Sequence, residues 1–598
     1  MVEKNSRHVV LELTTPGFTA EPEPDGSVRI SIPGFTDGAE PGSPAIPVLR
    51  SWVELESGVG ARIGSVRPEN VQVFSLRPTA AEAPELVATP EGTVVAGRSA
   101  RGEGAAFRRG GLYPESAARV VELGYQGETR KALVELAPIR WNRTTGELSF
   151  ARRLSVELSF SGRETARRKR IEERAVARRL VTRERGLYGV SFEELFGRSR
   201  RGISADTLRL SRLGQTVAIH LEPDRTLFGR GSRLFFLSEG ASANPYGDEA
   251  VYELELKSRG TKMPVVSTTP TGNPLSLAWQ QEDREENRYY QAGLLESEDL
   301  WFWDLLFAPV TRSYSFELTA LPSTSEPAGV SVWLQGVSDF DSSPDHHLRL
   351  RVNGTFLLES MLEGKGSLKM TAEIPAGVLR EGENSLEIEN VGDTEASYSM
   401  VMLDRFQVSY PRRLVPNAGR LEGTFRESGV AEVEGASDAF VLDTTEKDAR
   451  WLGSGTRFRV EASRRYLVVS PEAVRTPGIR SVSSSGLMSP RNQADYLVVG
   501  PRAFLGIAQP LLDLRRGQGL RSKAIAIEDV YSEFGFGEER PEAVREFLSH
   551  AYHSWQKPSP RYVLLLGDGT YDFKDYLETG VKNRVPPFLV KTSYLWTA

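Results

Sequence analysis

Tyr562-Val563-Leu564-Leu565-Leu566-Gly567-Asp568-Gly569 is an apolar run that closes on glycine, and Leu497-Val498-Val499-Gly500 is a second such run upstream. Runs that are apolar on both faces suit strands buried in a parallel sheet. Between them the hydrophobic period switches to that of a helix. Phe504, Ile507, Ala508, Leu511 and Leu512 recur at helical spacing, while Arg502, Gln509, Asp513 and Arg516 fall on the other face. Pro510 inside this pattern predicts a kink or a late helix start. Arg515 and Arg516 fall in the last turn, and Gly517 and Gly519 end it. Ala524-Ile525-Ala526-Ile527 reads as another buried strand. A second helix is expected from about Pro541 to Trp555, with Val544, Phe547, Leu548, Ala551 and Trp555 on its apolar face. The order β-α-β-α-β is that of an open parallel sheet.

Upstream of Asp495 the pattern is β-rich. Residues 1–160 alternate apolar and polar over short spans, as in Arg29-Ile30-Ser31-Ile32 and Leu154-Ser155-Val156-Glu157-Leu158, with turn residues between them. Residues 186–410 return to this pattern and read as sandwich or jelly-roll modules, with an Asn353-Gly354 hairpin turn. Residues 411–490 read as a β-rich connector ending in a Ser-rich linker. Between the first two β regions, residues 161–185 carry ten basic residues against four glutamates. No Pro or Gly falls between Glu164 and Arg185, and Arg, Glu and Ala favour helices, so an exposed helical linker is expected. Three roles stay open for it: a solvated interdomain helix, a processing region at Arg178, Arg179, Arg183 and Arg185, or a nucleic-acid or membrane contact. No aromatics interleave the arginines, which disfavours the last.

At 598 residues the chain exceeds what one core organises, and several domains are expected. A net charge of −6 gives no global field for nucleic acid or an anionic membrane. No stretch reaches the roughly 18 apolar residues that span a bilayer. Met1 to Phe18 has no apolar signal-peptide core. Cysteine is absent, which removes disulfides, thiolate metal sites and cysteine nucleophiles from these residues.

Several motifs resemble gingipain-type cysteine peptidases, a family with a caspase-like fold. The specific ones are R-x-G-Q-G-L-R-x-x-A-I-x-I-E-D-V-Y (Arg515 to Tyr531) and Y-V-L-L-L-G-D-G-x-Y-D (Tyr562 to Asp572). Gly42 to Val48 (G-x-P-x-x-P-V) and Trp141 to Leu148 (W-N-x-x-T-G-E-L) are similar to the family's N-terminal prosegment. The Glu298–Trp303 passage (E-D-x-W-F-W) and the Leu403–Tyr410 strand resemble the β-module of larger members, including the sortase-like members that serve type IX secretion. The resemblance implies a prosegment-like domain over 1–160, the linker over 161–185, β-modules over 186–410, the connector over 411–490, and the first half of a peptidase domain over 491–598. It implies that a thiolate attacks a peptide bond while His relays the proton and backbone amides hold the oxyanion. The family's His and Cys follow later strands, so they are expected beyond Ala598. It further implies a protein or peptide substrate for the intact parent, and an extracellular, periplasmic or cell-surface location.

Asp568 and Asp572 lie just past a strand's C-terminal end, where open α/β sheets bind ligands. Capping loop amides, lining a cleft, and ligating calcium together with Asp575 are the three readings. No other cofactor or metal is expected. Gly567-Asp568-Gly569 lacks the spacing of a phosphate loop. His550 and His553 fall away from the helix's apolar face and are expected on the surface, while His220 is packed or exposed without a role. Asp339, Asp341, Asp345, His346 and His347, with Pro344 among them, read as a turn, as do the sequons at Asn142 and Asn353. A non-catalytic β-rich binding or assembly protein with a degenerate peptidase-like domain is the alternative. A nucleotide-binding Rossmann protein is a distant third.

Overall fold

The computed structural model describes residues 3–597 except 5–7, 38, 40–41, 56–59, 89–93, 100–102, 104–106, 108–110, 127–128, 162–174, 199, 267–268, 295, 298, 324–325, 342 and 592–595. The chain is β-rich and divides into two compact units, essentially Met1–Ile171 and Glu172–Lys591.

In the first unit, strand Gly60–Phe74 runs antiparallel along Glu147–Ser161. The far edge of Glu147–Ser161 pairs with His8–Thr14 and Ile139–Asn142. Alternation along this strand sends Leu154, Val156 and Leu158 inward to meet Val9, Leu11, Val53 and Val134. Val53 and Val134 come from a second sheet, in which Thr129–Leu136 lies between Ala118–Gln126 and Pro47–Leu55. The W-N-x-x-T-G-E-L segment forms the hairpin read from it. Ile139–Asn142 pairs with the start of Glu147–Ser161, and the Asn142 side chain accepts the Thr144 amide.

The second unit opens on a strand, Val176–Thr182, where the sequence predicted a helix through Arg185. It lies between Ala250–Leu256 and Gly478–Arg480 in a five-stranded sheet. Helix propensity amounts to tenths of a kcal/mol per residue, about the scale of the β preference of Val176, Val181 and Thr182. Strand pairing on both sides decides the outcome. The rest of the expected helix, 162–174, lies outside the described residues. The next module is a sandwich. Leu277–Glu285, Ala328–Gly336 and Met400–Arg413 are neighbours in one sheet, which continues through Arg420–Thr424 to Arg465–Val469. Val310–Leu318, Gly382–Asn390, His346–Val352 and Thr355–Leu362 form the other sheet. Phe316, Leu348, Leu350, Leu386, Ile388 and Phe406 fill the space between them.

The α/β part is a three-stranded parallel sheet. β1 (Tyr496–Gly500) lies between β2 (Ser522–Ala526) and β3 (Tyr562–Leu565). Helix α1 (Gln509–Gly517) starts late, with Pro510 in its first turn, where its missing N–H costs nothing. Ile507, read as part of the buried face, is therefore outside the helix and 75% exposed. Ile527 does not extend β2 but opens a helix absent from the sequence reading, α2 (Ile527–Phe534). Glu528 and Asp529 in its first turn suit the positive end of the helix dipole. Helix α3 (Pro541–Ser554) matches its expected span, and Val544, Phe547, Ala551 and Trp555 are buried. The β3 run was expected to be buried, but it forms the sheet's edge, and Tyr562, Val563 and Leu565 are exposed.

Candidate functional site

Because the three strands are parallel, Gly500, Ala526 and Leu565 end at one edge, and the loops that leave them share that edge. Gly500 permits the closeness: a Cβ there would lie 2.3 Å from the Leu566 carbonyl oxygen. The loop after β1 is tied to α2, since both Glu528 oxygens accept the Arg502 amide and Arg502 Nη2 pairs with Asp529 at 2.6 Å.

The loop after β3 is internally fastened. The Asp568 carbonyl accepts the amides of Arg584 and Val585, and the Thr570 amide donates to Asn583. The Asp568 carboxylate is exposed and accepts its neighbour's amide, that of Gly569, at 2.8 Å. Asp572 is buried, and its two oxygens accept the amides of Tyr576 and Leu577, each at 2.8 Å. Both oxygens of Asp572 are thus engaged with loop amides. Asp575 caps the next turn through the Gly580 amide. These three carboxylates do not come together as a cation site.

Among the described residues, the carboxylates that do converge are Glu285, Asp299 and Asp404, with oxygens within 4.8 Å of one another. Burial, followed by the Asp299 charge, pushes Asp404 up to about 6, and the same two causes raise Glu285. A hard cation suits such oxygens chemically. The signal for this cluster lay in the acidic-aromatic passage that precedes Trp301, but its third member, Asp404, arrives from a distant strand.

The basic residues proposed for processing separate into two kinds. Arg179 is buried on strand Val176–Thr182, with its guanidinium 3.0 Å from Glu253. Nη1 and Nη2 of the same group donate to the side chain and carbonyl of Ser532, at the C-terminal end of α2. Arg178 donates to the Leu195 carbonyl from the same strand. A protease needs several residues of accessible, locally unfolded chain, which the paired strand carrying Arg178 and Arg179 does not offer in the folded chain. Arg183 and Arg185 sit on the following turn with side chains 75% and 53% exposed, in ion pairs with Glu249 and Glu422.

His553 is exposed, beside Tyr552, and His550 is half-buried with Nε2 3.1 Å from the Met488 carbonyl oxygen. His220 is buried and stacks on Trp451 with ring centroids 3.9 Å apart. His346 opens a sandwich strand and contacts Ser399, and His347 lies between Asp393 and Glu359. No helix among the described residues is long and apolar enough to cross a membrane.

Residues 489–597 match the model of peptidase family C25. Over those residues the α/β part is similar to peptidase family C25, the gingipain type. Among solved structures, dimeric latent PorU from Porphyromonas gingivalis is similar at 16% identity and a TM-score of 0.52, over 71% of this chain and 45% of that one. The chain thus spans less than half of that relative's length, and a likeness at this identity is one of fold. The complex of RgpB pro- and mature domains from P. gingivalis aligns over 27% of this chain and 83% of that one, at 13% identity and a TM-score of 0.23. A gingipain K structure from P. gingivalis aligns over 26% and 89%, at 21% identity and a TM-score of 0.21. No curated protein sequence matches.

Proposed function

We propose that this chain is the N-terminal part of an exported gingipain-like cysteine endopeptidase. The observation that carries this reading is the parallel β2-β1-β3 sheet, lying inside the C25 match with its loops gathered at one edge. In the reaction, a thiolate adds to the scissile carbonyl carbon, and an imidazolium proton passes to the leaving amine as the C–N bond breaks. Water then displaces the thiol from the thioester. The 598 residues contain no cysteine, so the thiolate comes from outside them. What they supply is the strand-end scaffold, the fastened loop after β3 and the β-modules. If the acyl group passes to an amine nitrogen rather than to water's oxygen, with release of the thiol, the same thioester gives transpeptidation. The test is to express the complete reading frame that contains this chain and incubate it with an unstructured protein substrate. Cleavage or transfer abolished by thiol alkylation is expected. Cleavage indifferent to alkylation overturns the thiolate mechanism, and a frame without cysteine that cleaves nothing overturns the proposal and favours the non-catalytic assembly protein.

A further inference from the structure

The loop after β3 has a second set of contacts that the peptidase reading does not use. Tyr290 and Trp301 face each other across a short antiparallel pair, Tyr289–Tyr290 with Trp301–Phe302, on the sandwich module. Tyr571 of the loop stacks on Tyr290 with ring centroids 4.2 Å apart and planes 18° from parallel. Tyr576 meets the Trp301 ring edge-on at 4.9 Å. The hairpin has a firm base. Phe302 is buried with Leu294 and Met402, and Trp303 stacks on Phe406 in the sandwich core. From another side, the first module of the same unit takes hold of the residues between those two tyrosines. Phe573 packs edge-on against Tyr246 at 5.0 Å, and Lys574 Nζ donates to the Ala241 carbonyl at 3.1 Å. Tyr246 also donates to Glu542 on α3, so the same side chain holds both the loop and a helix of the α/β part.

A loop at the C-terminal end of a parallel strand borders the place where such sheets bind ligands. Its own caps, Asp572 and Asp575, fix its internal shape but not its position against the sheet. Stacked and edge-on ring pairs contribute directional attraction beyond the area they bury. Besides the Arg584 guanidinium over Phe504, the loop's position is held from outside, by rings that come from β-modules far away in sequence. We infer that Tyr290 and Trp301 are positioning residues of the peptidase cleft, acting through Tyr571 and Tyr576 on the loop after β3. The β-sandwich is then a working part of the site, with no direct contact to the reacting atoms. This rests on the peptidase reading for its kinetic consequence alone.

The experiment compares the wild type, Tyr290→Ala, Tyr290→Phe and Tyr289→Ala in the protein expressed from its complete gene. Two readouts are taken: amide exchange over Gly569–Leu577, and the kcat and KM of peptide cleavage. Losing one stacked ring pair should speed loop exchange by about tenfold in Tyr290→Ala. kcat should fall by a similar factor with KM little changed, because a misplaced cleft wall costs orientation more than binding. Tyr290→Phe keeps the ring and should restore both values, and Tyr289→Ala should leave both unchanged. Unaltered loop exchange in Tyr290→Ala overturns the inference, as does a loosened loop with unaltered kcat. Should Tyr290→Ala fail to fold, Tyr571→Ala removes the same stack from an exposed position and is read in the same way. If the wild type cleaves nothing, the peptidase reading falls, and loop exchange still decides whether the hairpin holds the loop.

Discussion

Arg179→Met should be among the more damaging single substitutions in the second unit. The Arg179 side chain is 9% exposed and that of Glu253 only 1%, with a separation of 3.0 Å. The same guanidinium also donates to Ser532. Methionine fills much of the volume but leaves Glu253 buried without its guanidinium. Breaking a buried ion pair from one side costs about 3–5 kcal/mol, most of it the desolvated charge left behind. Each kcal/mol shifts the melting temperature by about 2–4 °C in domains of about 150–250 residues, so a fall of about 6–20 °C is expected. The assay is thermal unfolding of Arg179→Met, Glu253→Leu and the double variant. If the cost comes from the buried Glu253 charge losing this guanidinium, the double variant recovers most of the loss, since replacing both partners with apolar groups is often near neutral. A single-variant shift under about 2 °C, or a double variant as poor as the sum of the singles, would refute the account.

Trypsin acting on the folded protein should cut after Arg183 or Arg185 and spare Arg178 and Arg179, as read by mass spectrometry, because only the first two stand on an exposed turn. Asp404, raised from 3.8 to about 6 by burial, then Asp299, holds its proton more tightly when folded than when unfolded. Its contribution is therefore favourable at acid pH and is lost as pH rises through 6. Asp404→Asn should flatten the dependence of melting temperature on pH across that window and raise it at neutral pH. Gly500→Ala puts a methyl 2.3 Å from the Leu566 carbonyl oxygen, and urea unfolding should show a loss of about 1–3 kcal/mol.

Much of the α/β part was legible because its signals are local. Glycine-closed apolar runs marked β1 and β3, and Pro541 marked the start of α3 within its own first turn. Pro510 marked the late start of α1 in the same way. The W-N-x-x-T-G-E-L turn was legible for the same reason, since Asn142 and Gly146 encode its geometry within a few residues. Helix α2 was missed because Ile527 continues an apolar strand pattern, and only chain geometry decides where β2 stops. The Arg-rich segment misled for the opposite reason. Arg179 looks like one charge in a solvated run, and what makes it a core residue is Glu253, 74 positions away. The site suffers the same limitation. Asp568 and Asp572 were placed correctly past a strand end, yet which of them is spent on amides depends on how the loop folds back on itself.

The boundary of the family match at residue 489 is therefore not a boundary of packing. Glu538, between α2 and α3, is buried and accepts the Val251 amide of a β-module strand, while Arg212 of that module pairs with it at 3.2 Å. Phe536 presses against Gly214, and Arg179 donates to the end of α2. Tyr246, Tyr290 and Trp301 add further β-module contacts at the loop after β3. A buried carboxylate is costly unless its partners are in place. Glu538 is tolerable in the α/β part only because the β-module brings an amide and a guanidinium to it. Burial raises its pKa, and the Val251 amide and Arg212 pull it back. The sequence of the α/β part thus already assumes the modules that precede it, and the two have to be read as one machine.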